Sequence, residues 1–398
     1  MSKRILDDQE LSFTKMEDVK TFLKGMYEDQ VILTPAIEET GVVFIPNNIF
    51  MDEACEKVEF IRRGCKVQAA SISADMEINK ECIEGNGIFY VVPYGNKLWC
   101  FPTQESAYLQ ICQRAGDDCQ TMRRFDETAA KKVLPTEVKA ARLTQDLQLY
   151  SDGCLVLVRW GKVRAVLSKQ YVVLHADKLL ETVEQYAASE FHELKFNNGS
   201  WSHEFFRTEF DLNDEIREEE FRMRLEDFNV HAKEVKTKLA FYTSDIGLSS
   251  AVCRCYYSID GNSFLLPGKV ELPHTGEASV ELFGDKVKNH LKGIFEESEE
   301  MIEKLGNIPI SDISEVLKRI QEKHTFISKE ILGAKVDEII LAKENTGTAI
   351  DVYMYLNEIV QKQLTSKGAS VREVVETTER LSKLLYLPYR SIDSGDEW

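Results

Sequence analysis

The sequence predicts an α+β protein: an antiparallel sheet with a β-hairpin and packed helices, followed by a mostly helical C-terminal region. Three observations predict it. Residues 154–160 and 162–167 are two apolar, β-branched runs joined through Gly161, the clearest hairpin signal in the chain. A second hairpin signature lies at 87–101, where two such runs flank Pro93-Tyr94-Gly95-Asn96. From about Gly284 onward apolar residues recur at helical spacing and proline is rare.

Taken in order, residues 15–27 predict an amphipathic helix with Met16, Val19, Phe22, Leu23 and Met26 on one side. Residues 31–35 and 41–46 are expected as strands cut short by prolines. A helix is expected over 51–64 and a weakly alternating strand over 67–78. After the 87–101 hairpin, a helix begins near Thr103, which can cap it, with Glu105 in its first turn. Residues 136–147 predict another helix. The 154–167 hairpin follows, then a helix over 177–190 and strands over 204–210, 238–243 and 251–259. The last is closed by a turn at Asp260-Gly261-Asn262. Helices are expected over 285–305, 311–324, 334–344, 348–365 and 370–387. The expected organisation is an N-terminal extension (1–50), an α+β core (51–275), a helical region (276–390) and an acidic tail (391–398). No fixed-period repeat is present.

Composition bounds the function. The chain has 398 residues, 43% of them hydrophobic and 29% charged, which allows a sizeable core. A formal net charge of −18 excludes a wholly basic coat for duplex DNA and argues against a membrane-surface protein. No apolar run reaches the length of a membrane span, and residues 1–8 lack the apolar stretch of a signal peptide, so a cytoplasmic location is expected. The nine cysteines are odd in number and irregularly spaced, with no Cys-x-x-Cys, and are expected as reduced, buried thiols.

No catalytic motif is evident, and no cofactor or metal is expected. The segment from Gly261 to Gly268-Lys269-Val270 has six residues between its glycines, where a phosphate loop has four. Val270 also stands where the magnesium-holding hydroxyl belongs. No Gly-x-Ser-x-Gly elbow and no His-Glu-x-x-His occur. His192 and His203 lie eleven apart, one near the end of a helix and one near a strand. Cys253 and Cys255 share a strand face without the two additional ligands a zinc site needs. Both pairs are expected to be structural.

Charge is unevenly distributed. Residues 121–170 hold ten basic and five acidic residues, a local excess of +5 in a strongly acidic chain. Arg159, Lys162 and Arg164 surround the hairpin turn beside Trp160, and Arg123, Arg124, Lys131 and Lys132 form a second cluster. Cations that follow phosphates and an indole that stacks on a base are the elements of a single-strand platform. The competing expectation is a solvated strand face with Trp160 packed inward. The opposite pole, residues 209–228, carries nine acids against three arginines. It is expected as a solvated helix or loop. The alternatives are a contact for a basic partner or, through Asp211, Asp214 and Glu218, a metal-dependent hydrolase. The C-terminus, Asp393-Ser394-Gly395-Asp396-Glu397-Trp398, is either a frayed end or a loose analogue of the acidic partner-binding tips of single-stranded-DNA-binding proteins.

The run Arg164-Ala165-Val166-Leu167-Ser168-Lys169-Gln170-Tyr171, followed by 174–180, resembles the phage- and plasmid-encoded family grouped as domain of unknown function 932. Weaker matches are Ser244-Asp245-Ile246-Gly247 and the helix segment 353–360. The family's Cys-x-Asn-Gly element is replaced here by Val252-Cys253-Arg254-Cys255. The resemblance implies a mobile-element protein with a distant relation to Rad52-type single-strand-annealing proteins, which work as oligomers and need no nucleotide cofactor. The expectation is therefore a non-enzymatic, self-associating protein that binds single-stranded DNA through Arg159, Trp160, Lys162 and Arg164. The alternative is an acidic interaction protein that binds a host protein.

Overall fold

A computed structural model describes residues 6–45, 57–62, 66–72, 75–117, 136–150, 153–265 and 268–398. The expected cluster Arg123, Arg124, Lys131 and Lys132 lies outside them. The chain is α+β, and its main sheet joins strands from distant parts of the sequence. Among the described residues the sheet is antiparallel in the order β1 (Leu11–Phe13), β10 (Lys195–Trp201), β11 (Phe206–Asp211), β12 (Val235–Thr243), β13 (Ala251–Ile259) and β14 (Asn262–Leu265), with β15 (Val270–Leu272) also on β13.

The pleat sorts this sheet into an apolar and a polar face. Register places Trp201, Phe206, Phe210, Leu239, Phe241, Cys253 and Cys255 on one side. These pack into the largest core with helices α1 (Met16–Glu28), α5 (Ala176–Glu190) and α7 (Val280–Gly306), named here in chain order. Leu23, Leu179, Val183, Phe283 and Val287 are fully removed from solvent in that core. The other face carries Arg207, Glu209, Lys238, Tyr242, Arg254 and Tyr256.

Two smaller sheets lie beside it. β2 (Val31–Leu33), β8 (Cys154–Arg159) and β9 (Lys162–Ser168) form one; β3 (Gly41–Phe44), β6 (Ile88–Tyr94), β7 (Lys97–Pro102), β5 (Lys66–Ile72) and β4 (Lys57–Arg62) form the other. Helices α2 (Met76–Gly85), α3 (Glu105–Arg114) and α4 (Thr136–Tyr150) pack against these strands. Residues 57–62 are a strand, not the helix expected over 51–64. Lys57 to Arg62 pair antiparallel with Lys66 to Ser71, so cross-strand partners override the local helical pattern. Residues 11–44, expected within an N-terminal extension, supply one strand to each of these three sheets.

The C-terminal part is helical as expected: α8 (Ile313–Lys323), α9 (Lys329–Ala342), α10 (Ala349–Lys367), α11 (Val371–Lys383) and α12 (Tyr389–Ser394). Helix α10 begins with a Thr348–Asp351 capping box and ends at Gly368 in the left-handed conformation (φ 58°). A Ser370–Glu373 box then starts α11. The tail packs back onto α8. The Asp393 carboxylate accepts from the backbone amides of Ser311 and Asp312 at 3.0 and 3.2 Å, and the Lys323 ammonium lies 4.0 Å from the Trp398 ring centre. Among the described residues no helix is long and apolar enough to cross a membrane.

Candidate functional site

The 154–168 hairpin forms as the sequence predicts, but its cations point inward. Trp160 and Gly161 take the turn with φ 50° and 71°. The left-handed region is strained for a tryptophan. The turn is held because the Trp160 amide donates to Asp29 at 2.6 Å and the indole packs edge-on to Trp201 and His203. Trp160 is therefore largely packed and not a free stacking platform.

Arg159, Lys162 and Arg164 are 1%, 1% and 2% exposed. Unpaired, each would cost several kcal/mol in the interior, on the order of the penalty for one desolvated ion. Acids from three distant segments meet them. Arg159 donates to Gln30 and Asp245, each at 2.5 Å. Lys162 donates to Asp7 and, at 3.4 Å, to Glu81 of α2. Arg164 donates to Asp7 at 2.6 Å and to Gln104 at 3.1 Å. Burial lowers the Arg164 guanidinium to about 10 despite the opposing pull of Asp7. None of the three presents a solvent-facing charge to a phosphate. The expectation of a basic hairpin tip is corrected on that ground: the sequence shows the cations, while their carboxylate partners lie between 81 and 157 positions away.

The same region joins the end of the hairpin, residues 164–171, to residues 244–247. Besides the Arg159–Asp245 pair, the Tyr171 hydroxyl donates to the Ser244 carbonyl at 3.2 Å, and a Cβ on Gly247 would stand 2.8 Å from Leu167. Tyr171 also stacks on His274, with ring centres 5.2 Å apart.

The acidic run resolves into separate local roles. Asp214 caps α6 (Glu215–Asp227) and pairs with Arg217 at 2.9 Å. Glu218 accepts from the Thr237 amide and hydroxyl at 2.7 and 2.8 Å, and Asp211 pairs with Lys238 at 3.3 Å. Among the described residues no group of three or more His, Cys, Asp or Glu side chains is placed to hold a metal. Cys253 and Cys255 are buried, and burial pushes the Cys253 thiol up to about 12, which keeps it protonated and inert.

The feature that sequence reasoning missed is a cleft of about 330 Å³ between the polar face of the main sheet and helices α10 and α11. Its floor is Arg207, Glu209, Lys238, Tyr242, Arg254 and Tyr256. Its roof includes Leu364, Thr365, Val374 and Val375. Glu209 is held by Arg207 at 2.5 Å and Lys238 at 3.2 Å. Burial alone would raise its carboxyl, but these two cations bring it below the usual carboxylate range. Arg254 is 3% exposed. One of its terminal nitrogens reaches Glu379 of α11 at 3.3 Å, while its Nε and Nη1 have no hydrogen-bond partner. Partial burial pushes the Glu379 carboxyl up, yet Arg254, Lys269 and the Tyr242 hydroxyl together keep it below its ordinary range. The sequence signal was Arg254 itself, a guanidinium inside the apolar run 251–257; its surroundings come from helices more than a hundred positions later.

No family model, no curated protein and no solved structure matches this chain.

Proposed function

We propose that the chain is a binding protein whose ligand site is the cleft between the polar face of the main sheet and helices α10 and α11. One observation carries this reading: a charged floor of Arg207, Glu209, Lys238 and Arg254 faces a partly apolar roof of Leu364, Val374 and Val375 across an open space of about 330 Å³. The volume lies within the range of small-molecule sites.

Native mass spectrometry of the purified protein tests the reading, with Thr365→Trp as the control. Thr365 lines the cleft and is exposed, so a bulky ring there narrows the mouth without entering the core. A bound small mass on the wild type that is lost in Thr365→Trp supports the site. An equal bound mass on both proteins places the ligand elsewhere.

Single-stranded DNA, expected from the charge pattern and the family resemblance, is left with the resemblance as its support, since Arg159, Lys162 and Arg164 are paired internally. Fluorescence anisotropy of a labelled single-stranded 30-mer at low and moderate salt, with a duplex control, tests it directly. Salt-sensitive preference for the single strand would return it to first place.

A further inference from the structure

We infer that the ligand of this cleft is an uncharged amphipathic organic molecule, with a hydroxyl or carboxamide head and an apolar body against helices α10 and α11. The inference rests on the cleft being the ligand site.

The charges in and behind the lining neutralise one another. Arg207 holds Glu209 at 2.5 Å, and Lys238 reaches Glu209 at 3.2 Å and Asp211 at 3.3 Å. Arg254 meets Glu379 at 3.3 Å, and Lys269 meets Glu379 at 2.6 Å and Glu271 at 3.0 Å. Four cations thus balance four carboxylates, and the set favours neither an anion nor a cation. Burial raises the Glu209 and Glu379 carboxyls, but the neighbouring cations hold both below the usual carboxylate range. The pairs therefore stay ionised at neutral pH, and proton loss or gain frees no lone charge for a ligand.

A charged ligand entering here leaves water without meeting a free counter-charge, or it breaks one of these pairs. Both are unfavourable. An uncharged head costs less to desolvate and needs only hydrogen bonds. Ser258, Ser263, Thr365 and Thr378 belong to the lining, and a hydroxyl both donates and accepts. Thr365 donates to the Gln361 carbonyl at 2.9 Å and keeps its lone pairs for a further donor. An alcohol or an amide, which also donates and accepts, matches such groups.

The rest of the lining suits an apolar body. Leu364 of α10, Ala369 and Val374 of α11 are half-buried and border the same space. An alkyl or aryl group against them releases water and leaves no polar group unpaired.

Isothermal titration calorimetry with 1-hexanol, hexanoate, hexylammonium and 6-aminohexanoate tests the inference on the full-length protein. The probes share a six-carbon body and differ in charge. Saturable hexanol binding is expected, lost in Thr365→Trp and unchanged between low and moderate salt. The anion, the cation and the zwitterion should each bind at least about tenfold more weakly. Glu379→Gln leaves the cations in excess by one and should strengthen hexanoate binding by roughly threefold or more. Lys238→Gln leaves the carboxylates in excess and should do the same for hexylammonium. Lys238 is only half-buried, so this variant keeps the test decisive if Glu379→Gln fails to fold. A charged probe that binds as tightly as hexanol and is lost in Thr365→Trp overturns the inference and leaves the site standing. Charged-probe affinities that move in neither charge variant also overturn it, as does hexanol binding that survives Thr365→Trp. If no probe binds while native mass spectrometry still shows a cleft ligand, the inference fails and the site stands; if neither shows binding, both fail.

Discussion

Arg159 and Asp245 lie 86 positions apart and share a charge-assisted hydrogen bond in the interior, where the guanidinium is 1% exposed. The pair ties the hairpin sheet to the loop that leaves the main sheet after β12. Tyr27 of α1 joins it, donating to Asp245 at 3.3 Å. Removing one member strands the other. Asp245→Ala is therefore expected to destabilise the fold by about 3–5 kcal/mol in urea denaturation. The double variant Arg159→Met, Asp245→Leu should recover most of that loss. A double variant as unstable as Asp245→Ala would show that shape, and not the stranded charge, sets the cost.

Gly247 sits next to that pair at φ 82°, and an added Cβ would meet Leu167 at 2.8 Å and the Tyr171 ring at 3.4 Å. Both the backbone and the space oppose a side chain. Gly247→Ala should lower stability by about 1–3 kcal/mol. Gly95, also at positive φ but with open space around it, isolates the backbone contribution. Gly95→Ala should cost about 1 kcal/mol, and equal losses at both positions would remove the packing argument.

The C-terminal helix is anchored by Asp393, which accepts from Ser311 and Asp312 at the entry to α8. Arg319 of α8 donates in return to the Ile392 carbonyl at 2.6 Å. Asp393→Ala should cost about 1 kcal/mol and increase amide exchange over residues 389–398. Trp398→Ala removes a half-buried ring and its cation–π contact with Lys323 and should cost about 1 kcal/mol. Unchanged exchange in Asp393→Ala would mean that Tyr389 and Ile392, both fully buried, anchor the end alone.

His290 of α7 gives a pH signature. Burial, reinforced by the charge of Arg254, lowers its pKa from 6.5 to about 4. In that interval the unfolded chain binds a proton that the folded chain does not, so stability falls as pH drops from about 6.5 towards 4. The limiting size is about 3 kcal/mol. Glu209 and Glu379 act lower on the scale. Their folded pKa values lie below 4.5, so their contribution is present above that value and is lost as pH falls through the folded range. His290→Gln should flatten the profile between pH 6.5 and 4 and leave the more acidic limb intact. A profile that does not change on substitution would remove His290 as its cause.

The hairpin at 154–168, the helices after 280 and the α+β class were legible because each depends on local periodicity and turn chemistry. Cys154 to Arg159 pair with Lys162 to Ser168 across a two-residue turn, and the capping boxes at Thr348 and Ser370 lie within four residues of the side chains they use. The strand at 57–62 was not legible, because its partner strand and not its own pattern decided it.

By itself the sequence determined where the cations are, that Trp160 and Gly161 close a hairpin, and that a guanidinium at 254 interrupts an apolar strand. Only the tertiary structure decided what those charges do. A charge's role depends on which opposite charge and how much water surround it, and both come from residues distant in the chain. Asp7, Glu81 and Asp245 converge on Arg159, Lys162 and Arg164 and take them out of solvent. Glu379, 125 positions later, meets Arg254 at 3.3 Å and holds it in the floor of the cleft.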